Sequence, residues 1–570
     1  MRSSDDATGP DHSMNRPWLA SYAENVPQDI PEETGCLGDL VEQSAASYPH
    51  GVALEFFGAT TDYTELSAQI ARAAEGLRRL GVKAGDPVAI MLPNCPQHIV
   101  AFYAVLRLGA IVIEHNPLYT PQELRHQFED HRAKTAIVWD TVVPHLQDFP
   151  ADLAMTSLIS IDITRAMPTS MRLALRLPIA KAKASRAQLT APVSGTIRWE
   201  QVLAAPPLDP EHPKPAASSL ALIQYTSGTT GSPKGAALTH ANLLANAAQS
   251  RAWVPTVTRG EAVVYAVLPM FHAYGLTLCL TFAMSMGSRL VLFPKFDPDL
   301  VLKVLKKRPP TFLPLVPPIA DRLLKAATEQ GVSLHGTEIA ISGAMALPHE
   351  LVVPFERASG GYLVEGYGLS ECSPVISANP VSDGRKPGTI GLPLPGTDVR
   401  VVDPEDPTVD RAPGEAGELL VRGPQVFQGY YNKPEETAAV LLPGGWFRTG
   451  DIVTLDAEGF LTVVDRIKEL IITGGFNVAP TEVEQVLRGH PSVTDVAVVG
   501  LPSAHSGEDV VAAVIVAPGA TLDVDELRAY ARGILTPYKV PRRIYEVDAL
   551  PTSLIGKVLR RSVREDLLKR

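Results

Sequence analysis

The segment SLALIQYTSGTTGSPKGAALTHANLLANAAQ, residues 219–249, constrains this chain more than any other. Residues 219–225 are an apolar run of strand length and predict a buried strand. Residues 226–235 are a loop rich in Gly, Ser and Thr that carries Lys234. A helix is expected from about His240. Strand, glycine loop and helix make a phosphate cradle: glycines let backbone N–H groups approach oxygens, hydroxyls donate, and Lys234 adds charge. This is not a Walker loop, because the position before the lysine is Pro233 rather than glycine. A surface turn is the plain alternative, but a run this long behind a buried strand argues against it.

The rest of the chain repeats an α/β alternation. Leu66, Ile70, Ala73, Leu77 and Leu80 recur at helical spacing, and GVKAGDPVAIML then reads as a turn and a buried strand. AFYAVLRLGAIVIEHN gives helix and strand again, the pattern of a largely parallel sheet covered by helices. At 570 residues the chain exceeds one core. A boundary is expected near 465, with 1–15 a disordered tail, 16–465 a large N-terminal domain, and 466–570 a small α+β domain.

Lys and Arg number 51 against 62 Asp and Glu, a net charge of −11, which argues against a nucleic-acid partner. Four scattered cysteines without a CxxC pair fit a reduced, cytoplasmic chain. The polar N-terminus lacks the apolar core of a secretory signal. Residues 276–286 are too short to span a bilayer and are read as buried core, so no transmembrane segment is expected. Residues 165–190 stand apart. They hold Arg165, Arg172, Arg176, Lys181, Lys183 and Arg186, no acid, and interleaved apolar residues. A solvated surface insertion is the favoured reading, and peripheral contact with an anionic membrane the other. Pro168 and Pro178 argue against one continuous helix.

YTSGTTGSPKG resembles the phosphate-loop signature of the adenylate-forming superfamily, which includes acyl-CoA synthetases, luciferases and the adenylation domains of peptide synthetases. The likeness runs from Trp18 onward, with the other signatures in the family's order. It implies a large α/β domain with parallel sheets and a smaller β-rich subdomain, followed by a small mobile α+β domain. It implies that Thr226, Ser227, Gly228, Thr229, Thr230, Gly231 and Lys234 hold phosphates. EGYGLSE supplies Gly366, Tyr367, Gly368, Ser370 and Glu371: an aromatic face for adenine, a hydroxyl for phosphate, and a carboxylate for Mg²⁺. Gly343 and Ala344 resemble the turn on the nucleotide's other side. In WFRTGD, Asp451 would accept from the ribose hydroxyls, although an aspartate there could simply cap a turn. Asp465 resembles the hinge, and Arg466 a second ribose or phosphate contact. Gly474 and Gly475 resemble the turn that faces the pantetheine arm of coenzyme A. Lys557 matches the catalytic lysine of the C-terminal domain; Thr552 and Ile555 depart from the common pattern without touching it. His272 resembles a position beside the acyl pocket, against the plain reading of a core histidine.

The catalytic set implied is thus Lys557, Lys234 and Glu371, using ATP, Mg²⁺ and coenzyme A to convert an acid to acyl-AMP and then to a thioester. The small domain would rotate to present Lys557 and the glycine turn in succession. Trp18-Leu19, NPLYTPQELRHQ, EGYGLSECSPVISANP and GKVLRR resemble bacterial long-chain fatty-acid–CoA ligases. An aryl or coumarate-type ligase and a fatty acyl-AMP ligase loading a carrier protein stay open. A sensor on a degenerate scaffold would need a broken site, whereas Lys234, Glu371, Asp451, Arg466 and Lys557 are all present.

Overall fold

The computed structural model describes residues 16–153, 155–226, 233–473, 476–503, 507–553 and 556–570. The tail reading for 1–15 and the readings for Ser227, Gly228, Thr229, Thr230, Gly231, Gly474 and Gly475 lie outside them. Contacts divide the chain into two compact units. One runs through Asp398 and takes in Arg422–Phe447; the other is Val399–Val421 with Arg448–Arg570. This division falls earlier than the sequence boundary near 465. The reason is a hairpin: Trp446–Leu455 pairs antiparallel with Leu461–Arg466, and the second strand runs unbroken across 465 and 466.

The first unit is built on two large sheets. In one of nine strands, Val52–Phe56, Arg289–Leu292, Val263–Ala266, Phe312–Leu315, Ile339–Ser342 and Tyr362–Gly368 run parallel, and antiparallel strands close both edges. In the other, of eight, Leu220–Thr226, Ile111–Glu114, Pro87–Met91, Thr135–Trp139, Ser157–Ile161 and Ile197–Arg198 run parallel. Their near-continuous apolar sequences follow from burial on both faces. The helix Tyr63–Arg79 shows how the covering layer forms. Asp62 caps it by accepting from the Glu65 N–H at 2.8 Å, and Leu66, Ile70, Ala73 and Leu77 make its buried stripe.

One local expectation is corrected. Lys234–Thr239 is a strand, paired antiparallel with Leu220–Thr226, so the glycine loop closes a hairpin and does not run into a helix. The helix His240–Trp253 begins only after that strand, at a capping box between Thr239 and Asn242. Its first-turn amides therefore lie beyond the strand Lys234–Thr239 and not directly after Lys234.

Residues 276–286 are buried in a helical stretch, as expected, and no helix among the described residues is long and apolar enough to cross a membrane. Residues 165–190 break into short helices, Thr169–Ala174 and Ala180–Leu189, flanking Pro178. Leu173, Leu177 and Ile179 are 59, 51 and 54% exposed.

In the second unit, Gly507–Val516 is the central strand of a five-stranded sheet, and Val493–Ser503 pairs along it as an edge strand. Val496, Val498, Val510, Ala512 and Val514 pack on one face with Val483, Leu487 and Leu527. Ala497, Val499, Leu501, Val511 and Ala513 pack on the other with Val563 and Leu567. The period-two alternation is filled on both sides, so both strands read as unbroken apolar runs.

The Thr239 cap separates hairpin from helix, and Thr239→Ala should lower stability by about 0.5–2 kcal/mol. A urea titration reads this as a lower midpoint; an unchanged midpoint would mean that the strand alone fixes the helix start.

Candidate active site

In the first unit the candidate residues sit where parallel strands end. Ser342 ends its strand opposite Glu365, whose own strand runs on to Gly368 paired antiparallel with Val375–Ala378, so the turn Gly343–Ala344 leaves the sheet beside the start of EGYGLSE. Ligands in open α/β sheets bind at such ends. Backbone geometry shapes both segments. Ala344 has φ +66, a left-handed conformation uncommon outside glycine. A Cβ on Gly368 would lie 2.0 Å from the Pro374 carbonyl oxygen, so this position admits only glycine. A Cβ on Gly366 would meet the Ile341 side chain at 3.4 Å, in ordinary contact. Tyr274 donates to the carbonyls of Leu315 and Ile341 at 3.1 and 2.7 Å, which fixes the segment carrying His272 over these strand ends. Desolvation pushes the His272 imidazole down to about 4, so the ring is neutral at physiological pH.

Lys234 and Glu371 come together around a residue that the sequence did not single out. Tyr430 donates its hydroxyl to Glu371 Oε1 at 2.8 Å, and the Lys234 ammonium lies 5.1 Å from the centre of its ring. Thr226 Oγ1 is 3.4 Å from the Lys234 carbonyl oxygen, which accepts its hydrogen bond. Ser370 and Glu371 form a short turn behind Gly368. Glu365 was also missed: burial pushes its carboxyl up to about 8, keeping it largely protonated at neutral pH.

The carboxylate of Glu371 is a hard oxygen donor of the kind Mg²⁺ takes. No group of three or more His, Cys, Asp or Glu able to hold a metal occurs among the described residues. That suits a cation bound by one or two carboxylates together with substrate phosphates. Cys36, Cys95, Cys279 and Cys372 are buried, unpaired thiols. Burial raises all four, Cys95 to about 12, which opposes the thiolate a nucleophile needs.

The second unit gathers the other candidates. TGD lies inside the strand Trp446–Leu455, opposite Arg466 in register, and Arg466 Nε is 2.8 Å from Asp451 Oδ1. Asp451 is 1% exposed. Asp465 accepts from the backbone N–H groups of Arg466 and Thr481 at 2.7 and 2.9 Å, tying the strand end to the helix Pro480–Arg488. Lys557 sits on a tight turn. Its N–H donates to Ser553 Oγ at 3.1 Å, its carbonyl accepts from the Ser553 N–H at 2.7 Å, and Gly556 has φ +83. Burial and then Arg466 lower the Lys557 ammonium to about 8; Glu469 and Asp451 oppose them.

Arg560, three residues on in GKVLRR, is a further residue the sequence reading did not assign. Its guanidinium bonds Glu469, Glu484 at 2.9 and 2.7 Å, and Thr481 at 3.0 Å. Only its place beside Lys557 in the motif signalled it.

Residues 41–431 match the AMP-binding enzyme family, and residues 482–557 match its C-terminal domain. The chain is 39% identical to a long-chain-fatty-acid–CoA ligase of Bacillus subtilis (strain 168), over 97% of this chain and 98% of that one. It is 34% identical to the 4-coumarate–CoA ligase-like 9 protein of Oryza sativa subsp. japonica, over 93% of each. The crystal structure of ATP-bound MatB from Rhodopseudomonas palustris matches with a TM-score of 0.78 and 30% identity, over 93% of this chain and 98% of that one.

A lysine lowered to about 8 carries its charge below that pH and loses it above. If that ammonium serves the adenylating step, kcat/KM for ATP should fall as pH rises through about 8, since this parameter reports the free enzyme. Lys557→Arg should be slower but flat between pH 7 and 9.5, because a guanidinium does not titrate there. A fall of the same size in Lys557→Arg would assign the titration to another group.

Proposed function

Because the chain belongs to the AMP-binding enzyme family, we propose that it is an AMP-forming acid–thiol ligase acting on a long-chain fatty acid, with ATP and coenzyme A as co-substrates. The reaction class is carried by Lys234 and Glu371 held around one tyrosine at the strand ends: a cation for phosphate and a carboxylate for a metal. The choice of acid is supported by the near full-length likeness to the Bacillus ligase.

A carboxylate oxygen of the acid attacks the α-phosphorus of ATP, and the bond to the β-phosphate oxygen breaks to release pyrophosphate. The thiol sulfur then attacks the acyl carbon, the bond to the AMP oxygen breaks, AMP leaves, and the thiol proton passes to solvent. Charge accumulates on the phosphoryl oxygens in the first step, and preorganised cations lower that barrier. Lys234 and Lys557 are assigned to this role. Mg²⁺, when bound through Glu371, adds positive charge to the phosphates. Tyr367 stacks on adenine, Ser370 donates to phosphate, Gly343 and Ala344 line the nucleotide, and Asp451 and Arg466 hold the ribose. His272, neutral, borders the acyl chain. Gly474 and Gly475 serve the thiol step.

AMP release measured over acids from acetate to oleate, with and without coenzyme A, tests the assignment. Long-chain acids with coenzyme A should give the highest turnover. Faster turnover of coumarate than of any fatty acid would replace it with an aryl-acid ligase, and full turnover only with a carrier protein would replace coenzyme A as acceptor.

We further propose that residues 165–190 rest on anionic membrane. The support is that Leu173, Leu177 and Ile179 are exposed among Arg172, Arg176, Lys181 and Lys183 with no acid nearby in sequence. Each basic residue near such a surface contributes about 1 kcal/mol. Changing these four cations to Glu should abolish sedimentation with anionic vesicles at low salt; unchanged sedimentation would leave a solvated insertion.

A further inference from the structure

We propose that Tyr430 is a positioning residue for the adenylating step, holding the Glu371 carboxylate on its hydroxyl and the Lys234 ammonium on its ring face. The proposal rests on the nucleotide reading above and adds to it a residue that keeps the two opposite charges available to substrate.

The arrangement is built by the backbone on both sides. Gly429–Tyr430 is a two-residue strand at the edge of the eight-stranded sheet, with Tyr430 opposite Ala236 and Gly429 opposite Ala237. The Tyr431 N–H donates to the Gly235 carbonyl at 2.8 Å, locking this strand beside Lys234. On the other side the Phe427 N–H donates to the Glu371 carbonyl at 2.8 Å. Gly429 has φ +141, and a Cβ there would sit 2.5 Å from Thr437 Cγ2, whose neighbouring hydroxyl accepts from the Tyr430 N–H at 2.9 Å. The tyrosine is thus pinned by main chain before its side chain touches anything charged.

Packing alone does not account for the hydroxyl. Phe427 meets the Tyr430 ring edge-on at 5.0 Å, and a phenylalanine would fill that space equally well. The hydroxyl adds only the 2.8 Å bond to Glu371 Oε1. Among the described residues, no ion pair joins Lys234 to Glu371. An ammonium and a carboxylate this near in the fold would otherwise neutralise each other. The ring gives the cation a quadrupole to rest on and the hydroxyl gives the anion a donor, so each keeps its charge for an incoming polyphosphate and its metal.

The two functions separate by substitution. ATP binding is measured by titration calorimetry on the full chain, without acid, in Mg²⁺ and again in EDTA. Tyr430→Phe keeps the ring face and loses the hydroxyl. It should bind ATP in EDTA as the unaltered protein does, while the tightening produced by Mg²⁺ falls about tenfold or more, the scale of one hydrogen bond to a charged group. Tyr430→Leu, which removes the face as well, should also weaken binding in EDTA. Full Mg²⁺ tightening in Tyr430→Phe overturns the proposal, and so does an equal loss in both buffers, which marks a structural role. Should Tyr430→Leu not fold, Tyr430→Phe alone decides. Failure of the unaltered protein to bind ATP in either buffer overturns the nucleotide reading and this proposal with it.

Discussion

The placing of Lys234 in the first unit depends on the antiparallel pairing of Leu220–Thr226 with Lys234–Thr239. The residues on either side of the glycine-rich segment are fixed because they are hydrogen-bonded to each other. Register does the rest. Thr226 lies opposite Lys234 and Tyr225 opposite Gly235. Gly235 cannot be larger, since a Cβ there would come 2.6 Å from Ile223 Cγ2, a side chain in the fully buried core. The close approach at Gly235 sets the strand, the strand sets Lys234, and the edge strand Gly429–Tyr430 then adds to Lys234–Thr239 rather than to any other edge.

The second unit is organised by a different constraint, the burial of charge. Asp451 and Arg466 pair across a hairpin with Asp451 almost fully enclosed, and Arg560 bridges Glu469 and Glu484. Such pairs add little net stability relative to apolar residues, but losing one partner costs several kcal/mol because the other charge stays buried. They specify geometry. Arg560, three residues from Lys557, joins the turn after Leu461–Arg466 to the helix Pro480–Arg488. The motif GKVLRR therefore carries its lysine and the arginine that anchors the lysine's surroundings in one run.

Much of this was legible because the sequence patterns have single physical readings. The helical stripe at Leu66, Ile70, Ala73 and Leu77 read as the core-facing side of a helix, and it is buried; that the runs around 496–501 and 510–514 are covered on both faces is shown by the packing of the second unit. KGAALT was not legible as a strand. Gly235, Ala236 and Ala237 have weak intrinsic strand preference, and the segment is a strand because its neighbours pair with it. Tyr430 was invisible for a related reason: its contact with Glu371 spans 59 residues, and nothing local distinguishes it from the tyrosine beside it. The boundary near 465 came from a change in pattern, which marks where new elements start but not which hairpin they remain attached to.

The charge on Lys557 is set by its surroundings in the second unit. Burial and then Arg466 depress the ammonium, and Asp451, to which Arg466 is bonded, acts in the opposite sense. The ion pair therefore does two things: it holds Arg466 in register across the hairpin, and its carboxylate offsets part of the repulsion that the guanidinium exerts on the lysine. Loss of Asp451 would leave that repulsion less compensated and lower the ammonium further, so the charge on Lys557 depends on a pair that lies far from it in sequence.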